Sequence, residues 1–402
     1  MPKVDLSAYE GREQAYVKHC LLEEYLPAWG YKISSAWDSL VFVDAFAGPW
    51  QLTTATFDDS SFGVAVDALK LVYLGQRDHW SRNVQVLSVL VADTEAKARQ
   101  LREFGTNRSI SGFRIEAVCG KFEDRIQEIS ELIGRSSKNP FKFVFLDPKG
   151  WKDIPMEKLR PFLRGRSGEV LVNLMTSDIT RFLDEPPKAE SYIRLFGRPE
   201  VLEILRDTPA AERGERAVQE YCKSLKQLCD FRYVSSAVIF EPDREEVKYF
   251  LVFATNHPDG VKVFKAAEIN AARIQDAVRD ELAVRRSGQL EMFDTVQVPR
   301  SRVRLERREK YRDRAFAKVA QLLLANESGE GIAYRDVLME ALAFPLVTPD
   351  DLKEWIKKLH PTVELVLEGA GRRREPSTDK DDIVIVNDAK MLAALSASAP
   401  GP

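Results

Sequence analysis

Short, nearly continuous apolar runs alternate with helical periodicity through the first 174 residues. Residues 40–46 are β-branched, aromatic and apolar and predict a first strand. Val64, Ala65, Ala68, Leu69, Val72 and Tyr73 then recur at helical spacing. Val84–Val91 reads as a second strand ending at Ala92-Asp93, with Thr94 able to cap the helix that begins at Glu95. Phe113–Val118 alternates as a third strand and turns at Cys119-Gly120 into a helix carrying Phe122, Ile126, Ile129 and Leu132. Residues 141–146 and Val170–Leu174 supply strands four and five. Apolar strands alternating with helices imply a parallel sheet covered on both faces.

The pattern changes after residue 178. A mostly helical stretch runs to about Cys229, with turns at Pro186-Pro187 and Phe196-Gly197. Tyr233–Phe240 and Val247–Thr255 are then joined by a turn short enough to make an antiparallel hairpin. Five parallel β-α units closed by such a hairpin form the Rossmann-like, seven-strand layout of class I methyltransferases, whereas NAD-binding folds end on parallel strands. The expected first domain is 1–290, with a helical insert at about 180–230. Residues 258–288 look helical. Arg300, Arg302, Arg304, Arg307, Arg308, Lys310, Arg312 and Arg314 mark 291–314 as a basic linker or helix start. Residues 315–390 carry three helical periods and two strands, Val363–Leu367 and Ile383–Val386, which is winged-helix order. The end, 391–402, reads as a disordered tail.

Composition narrows the picture. The chain has 402 residues, 44% hydrophobic and 30% charged, enough for a substantial core. A net charge of −3 gives no global pull toward nucleic acid, so any such face must be local. Cys20, Cys119, Cys222 and Cys229 lack C-x-x-C spacing, and His19, His79, His257 and His360 share no ligand spacing with them. No metal is expected. The start lacks the apolar core of a signal peptide and no run reaches the ~18 residues of a membrane span, so a cytoplasmic protein is expected. There is no Walker loop and no Gly-x-Ser-x-Gly.

The candidate chemistry lies at the strand ends, where parallel α/β sheets hold ligands. Asp44, Phe46 and Gly48 close strand one, with Gly48 allowing close backbone approach and Trp50 standing where a second glycine is common. Asp93 is placed to accept from ribose hydroxyls; its plain alternative is a carboxylate at a helix N-terminus. After strand three, Gly120 and Phe122 are placed against an adenine ring, with Glu123 or Asp124 for its amino group; a helix start is the plain alternative. Asp147-Pro148-Lys149-Gly150-Trp151 would orient an amine acceptor: Asp147 accepts from it, Pro148 fixes the turn and Trp151 stacks on a flipped base. Lys149 would neutralise Asp147 or contact a phosphate. Arg372, Arg373 and Arg374 form a basic wing of the kind nucleic-acid modules carry.

These motifs resemble the three-Cys-motif partner family. The likeness covers most of 14–390: Val17–Trp29 is similar to its opening helix, Val43–Pro49 to its Asp-x-Phe-Ala-Gly-Pro signature, and Leu146–Trp151 to its Asp-Pro-x-Gly corner. Leu171–Leu174 with Thr180-Arg181-Phe182, and Tyr249–Gly260, are similar to its later strands. The resemblance implies a methyltransferase-type Rossmann fold with an appended winged helix. It also implies a separate radical-SAM-like partner that carries the three cysteines.

Together the residues predict an S-adenosylmethionine-dependent methyltransferase-like protein acting on a base nitrogen of nucleic acid. The alternative is a non-catalytic scaffold whose winged helix recruits nucleic acid or protein. A weaker third reading is nucleic-acid cleavage, with acids such as Asp147 and Asp178 holding Mg²⁺.

Overall fold

The computed structural model describes residues 5–48, 56–165, 167–185, 188–244, 246–287, 302–326, 330–368 and 375–397. Pro49, Trp50, Pro186, Pro187, Arg300 and the Arg372–Arg374 wing lie outside the described residues. Seven strands form one sheet: β1 (Ser39–Asp44), β2 (Gln85–Ala92), β3 (Phe113–Cys119), β4 (Phe141–Leu146), β5 (Gly168–Leu174), β6 (Tyr233–Phe240) and β7 (Val247–Thr255). Their order is β3-β2-β1-β4-β5-β7-β6. Neighbours pair in parallel except β7, which is antiparallel to both β5 and β6. This is the class I methyltransferase-like sheet expected from five β-α units and a hairpin.

The chain enters through helix α1 (Glu13–Ser34). Helices α2 (Ser61–Trp80) and α3 (Glu95–Arg108) link β1 to β2 and β2 to β3. Helix α4 (Phe122–Ser136) crosses back to β4, and α5 (Met156–Leu163) leads on to β5. Because the winding reverses between β1 and β4, right-handed crossovers put α2 and α3 on one face and α4 and α5 on the other. Every residue of β1 and β5 is buried, which explains their mostly apolar character. Thr94 takes the extended N-cap conformation before α3, but its side chain makes no capping bond.

The two polar residues of β5 each have partners. Glu169 accepts the hydroxyls of Tyr25 (2.5 Å) and Thr255 (2.8 Å), and burial pushes its carboxyl up to about 7. Asn173 points to the strand-end site described below.

The insert comprises α6 (Thr176–Arg181), α7 (Ala189–Phe196), α8 (Val201–Asp207) and α9 (Arg213–Cys229). After β7, α10 (Pro258–Ser287) packs on α1. A second module follows: α11 (Arg302–Leu324), β8 (Ile332–Ala333), α12 (Tyr334–Ala341), α13 (Pro349–Leu359), β9 (Val363–Val366) and β10 (Ile383–Val386). Its strands form an antiparallel sheet in the order β8-β10-β9. Helix α13 begins with Pro349 and a reciprocal cap: Thr348 Oγ1 accepts from the Asp351 N–H, and the Asp351 carboxylate accepts from the Thr348 N–H. The module sits on β6, where Ser235 and Ser236 donate to the carbonyls of Leu342 (2.6 Å) and Ala343 (3.0 Å).

Two expectations for this half change. Of linker or helix start, the basic stretch is helix from Arg302, and the cations expected to be free are tied down internally at Arg304, Arg307, Arg308, Lys310 and Arg312. Arg304 meets Asp276 at 2.5 Å, and Arg308 and Arg312 meet Asp351 at 2.7 and 3.2 Å. Arg307 and Lys310 both lie 3.5 Å from Glu215. Acids on α9, α10 and α13 therefore consume charge that reads in sequence as free. The expected disordered tail is also helical through Ala397, as α14 (Ala389–Ala397), because buried Leu392 anchors it.

Candidate functional site

Four strand ends converge on one cleft beside the winding reversal. It encloses about 150 Å³ and is lined by Phe46 and Gly48 after β1, Asp93 after β2, Gly120 and Phe122 after β3, and Asp147 after β4. Lys149 and Asp153 complete its β4 side. Residues as far apart in sequence as Ala45 and Asp153 meet here because parallel strands end on one rim.

The β1 loop is built from beneath. Asp44 is fully buried, and its Oδ1 and Oδ2 accept from the Phe46 N–H (3.0 Å) and the Ser61 hydroxyl (2.9 Å). Asp44, expected at a cofactor, does not line the cleft and shapes the loop that carries Phe46 and Gly48. The Gly48 N–H turns back to the Phe46 carbonyl at 2.7 Å. Burial raises the Asp44 carboxyl to about 7 against an ordinary 3.8, with the Phe46 and Ser61 bonds opposing. The unfolded chain releases this proton near pH 4, while the folded protein keeps it to about pH 7. Stability from this group thus falls as pH rises through that window. Asp44→Asn is expected to remove a few kcal/mol of that fall, read as a flatter pH dependence of the urea midpoint between pH 4 and 7.

Gly120 holds φ +134°, which L side chains rarely adopt, and its N–H donates to the Ala92 carbonyl at 2.8 Å. Phe122 is 2% exposed and faces Phe46 at 6.3 Å, giving the cleft an aromatic wall. Asp93 stands half-exposed at the mouth, 2.7 Å from Lys97. Glu123, expected at an adenine amino group, does not line the cleft; its carboxylate is 3.8 Å from Arg194 of α7.

At β4 the sequence reading misses two residues. Asp147 is paired with Lys18 of α1 through Oδ2, and Oδ1 accepts from Asn173 Nδ2 at 2.6 Å. Lys18 thus brings a cation to Asp147 from across the fold, while Lys149 stands exposed on the same side of the cleft. Pro148 is buried in the turn. Trp151 does not face a substrate. It is 5% exposed, stacks on Tyr192 at 5.3 Å and 9°, lies 5.8 Å from Phe182, and donates Nε1–H to Ser191 at 3.0 Å. Its contacts, expected with a flipped base, are instead with α7 and Phe182 of the insert. Among the described residues no group of three or more His, Cys, Asp or Glu side chains is placed to hold a metal, and no helix is long and apolar enough to cross a membrane.

No protein-family model matches the sequence, and no curated protein matches it. Among solved structures, the chain is similar to an O-methyltransferase from Bacillus cereus in complex with SAH: 14% identity over 59% of this chain and 80% of that one, TM-score 0.31. It is also similar to a loganic acid methyltransferase with SAH: 8% identity over 70% of this chain and 91% of that one, TM-score 0.29. At those TM-scores neither likeness carries the argument; strand order and the direction of β7 do. The three-Cys-motif partner resemblance rests on the sequence motifs alone.

Proposed function

We propose that the protein binds S-adenosylmethionine across the ends of β1–β4 and directs methyl transfer to an amine nitrogen. The observation that carries this reading is the convergence of Phe46, Gly48, Asp93, Gly120, Phe122 and Asp147 on one cleft at the winding reversal. The residues fit the ligand. A strained glycine lets backbone approach at Gly120, an aromatic wall suits a purine, and a carboxylate at the mouth suits a ribose diol. The cleft encloses less than the ~300 Å³ common for small-molecule pockets, so the ligand would extend past its mouth.

When bound, S-adenosylmethionine supplies an electrophilic methyl on sulfur. The chain supplies position. Lys18 and Asn173 fix Asp147 in one orientation, and its remaining lone pairs can accept an N–H of the acceptor and turn the nitrogen lone pair out of conjugation. The second module has winged-helix element order, and in this reading it delivers nucleic acid. In α11, Arg304, Arg307, Arg308, Lys310, Arg312 and Arg314 are already paired, so the wing at Arg372–Arg374 would carry that role.

A tritium-transfer assay with DNA, RNA and protein acceptors tests the reading. Labelling of one polymer, reduced about 100-fold or more in Asp147→Asn, is expected. Blank results for all three count against transfer. A second reading, a non-catalytic partner of the radical-SAM-like protein, is favoured by two observations: Asp147 is already ion-paired and Trp151 is buried. Stable co-purification with that partner and no cofactor affinity is its signature.

A further inference from the structure

A second cavity, of about 240 Å³, lies at the seam where α9 and α11 meet over β6 and β7. Its wall has two characters. Val218, Val234, Phe250 and Phe344 give it an apolar floor, and Arg216, Lys223, Lys226, Arg314 and Lys318 surround that floor with cations.

The local acids do not balance them. Glu215 is shared by Arg307, Lys310 and Arg314. Fully buried Glu220 is shared by Arg198, Arg216 and Lys223, at 3.0, 3.1 and 2.8 Å. Arg198 also meets Glu200 at 2.8 Å and Arg314 meets Glu212 at 3.7 Å, so four carboxylates serve these six cations. Lys226 reaches Glu340 only at 3.9 Å, and the bond given for exposed Lys318 is to the neutral Gln321 amide, at 3.4 Å. Three polar atoms of lining residues are buried without a hydrogen-bond partner: the hydroxyl of Tyr311, a residue 2% exposed, Nε of Arg216, and Oε2 of Glu215, which is ion-paired with Arg314. Glu215 and Glu340 also line the cavity, so five lining cations face two lining carboxylates, and a net positive wall beside a low-dielectric floor concentrates the field on whatever enters it.

We propose that this seam binds a single nucleotide unit, its phosphate held by the Arg216, Lys223, Lys226 and Lys318 cations and its sugar and base on the Val218–Phe250–Phe344 floor. Arg and Lys together match a phosphate, and a nucleotide has the apolar, planar body that inorganic phosphate lacks. The unit comes either as a free nucleotide or as the 5′-phosphorylated end of a strand. The site is separate from the strand-end cleft and does not depend on its function. It joins α9 of the insert to α11 of the second module, so occupancy would couple the two.

Calorimetry on the full chain tests this. The probes are uridine 5′-monophosphate, uridine, inorganic phosphate, and a uridine tetranucleotide with and without a 5′-phosphate. Uridine 5′-monophosphate is expected to bind, uridine and phosphate to bind at least tenfold more weakly, and Lys226→Ala/Lys318→Ala to lose about tenfold or more. Both lysines are partly or fully exposed, so the double variant should fold. Asp93→Ala, in the other cleft, should bind as wild type does. A tetranucleotide that binds more tightly only with its 5′-phosphate assigns the strand end; equal or weaker binding assigns the free nucleotide. The proposal is overturned if wild type ignores uridine 5′-monophosphate at millimolar concentration. It is also overturned if uridine or phosphate alone binds as well, or if the double variant binds unchanged.

Discussion

Lys265→Ala is expected to destabilise the protein by about 3–5 kcal/mol, the cost of stranding a buried charge. Lys265 and Glu268 are both essentially inaccessible and pair with each other one turn apart on α10. Each also reaches the second module: Lys265 donates to the Phe344 carbonyl and Glu268 accepts the Leu346 N–H, both at 2.8 Å. Removing the ammonium leaves the Glu268 carboxylate with a backbone donor and no counter-charge. The double variant Lys265→Met/Glu268→Leu should lose less than the two single changes together, because neither charge is then left alone. Urea unfolding of the four proteins measures this. A loss below about 1 kcal/mol for Lys265→Ala would show that the seam is held by its apolar contacts and serine bonds instead.

Trp151→Ala carries the second large effect, also about 3–5 kcal/mol, because it empties a packed site between Tyr192 and Phe182 and removes the bond to Ser191. Trp151→Phe, which keeps an aromatic ring in that site, should recover much of the loss. S-adenosylhomocysteine affinity in Trp151→Phe should stay close to wild type, since the indole does not line the cleft. If that variant keeps its stability but loses methyl transfer alone, the ring reaches an acceptor after all.

The contrast between Trp151 and Gly120 shows what the sequence exposes. Strand ends are local: an apolar run followed by an acid or a glycine marks a rim position wherever it falls, and Phe46, Gly48, Asp93, Gly120, Phe122 and Asp147 all line the cleft. The hairpin at β6–β7 is legible for the same reason, since a short turn between two apolar runs admits one geometry. What lies across the chain is not. Lys18 reaches Asp147 over 129 residues, and nothing in the periodicity of α1 says which of its side chains meets β4. Asn173 did carry a signal, as a polar residue in a strand buried on both faces. Trp151 and the cations of α11 misled because a motif gives residue type without direction. The indole turns inward to α7, and Arg304, Arg308 and Arg312 find carboxylates that sequence spacing does not bring near them.

The most direct test of the central claim is calorimetric binding of S-adenosylmethionine and S-adenosylhomocysteine to wild type and to Asp93→Ala. Asp93 is half-exposed at the cleft mouth, so its removal should leave the fold intact. The account predicts micromolar binding to wild type and a loss of about tenfold or more in the variant, as expected for hydrogen bonds to a charged acceptor. Absence of binding to wild type, or equal binding by both proteins, would contradict it.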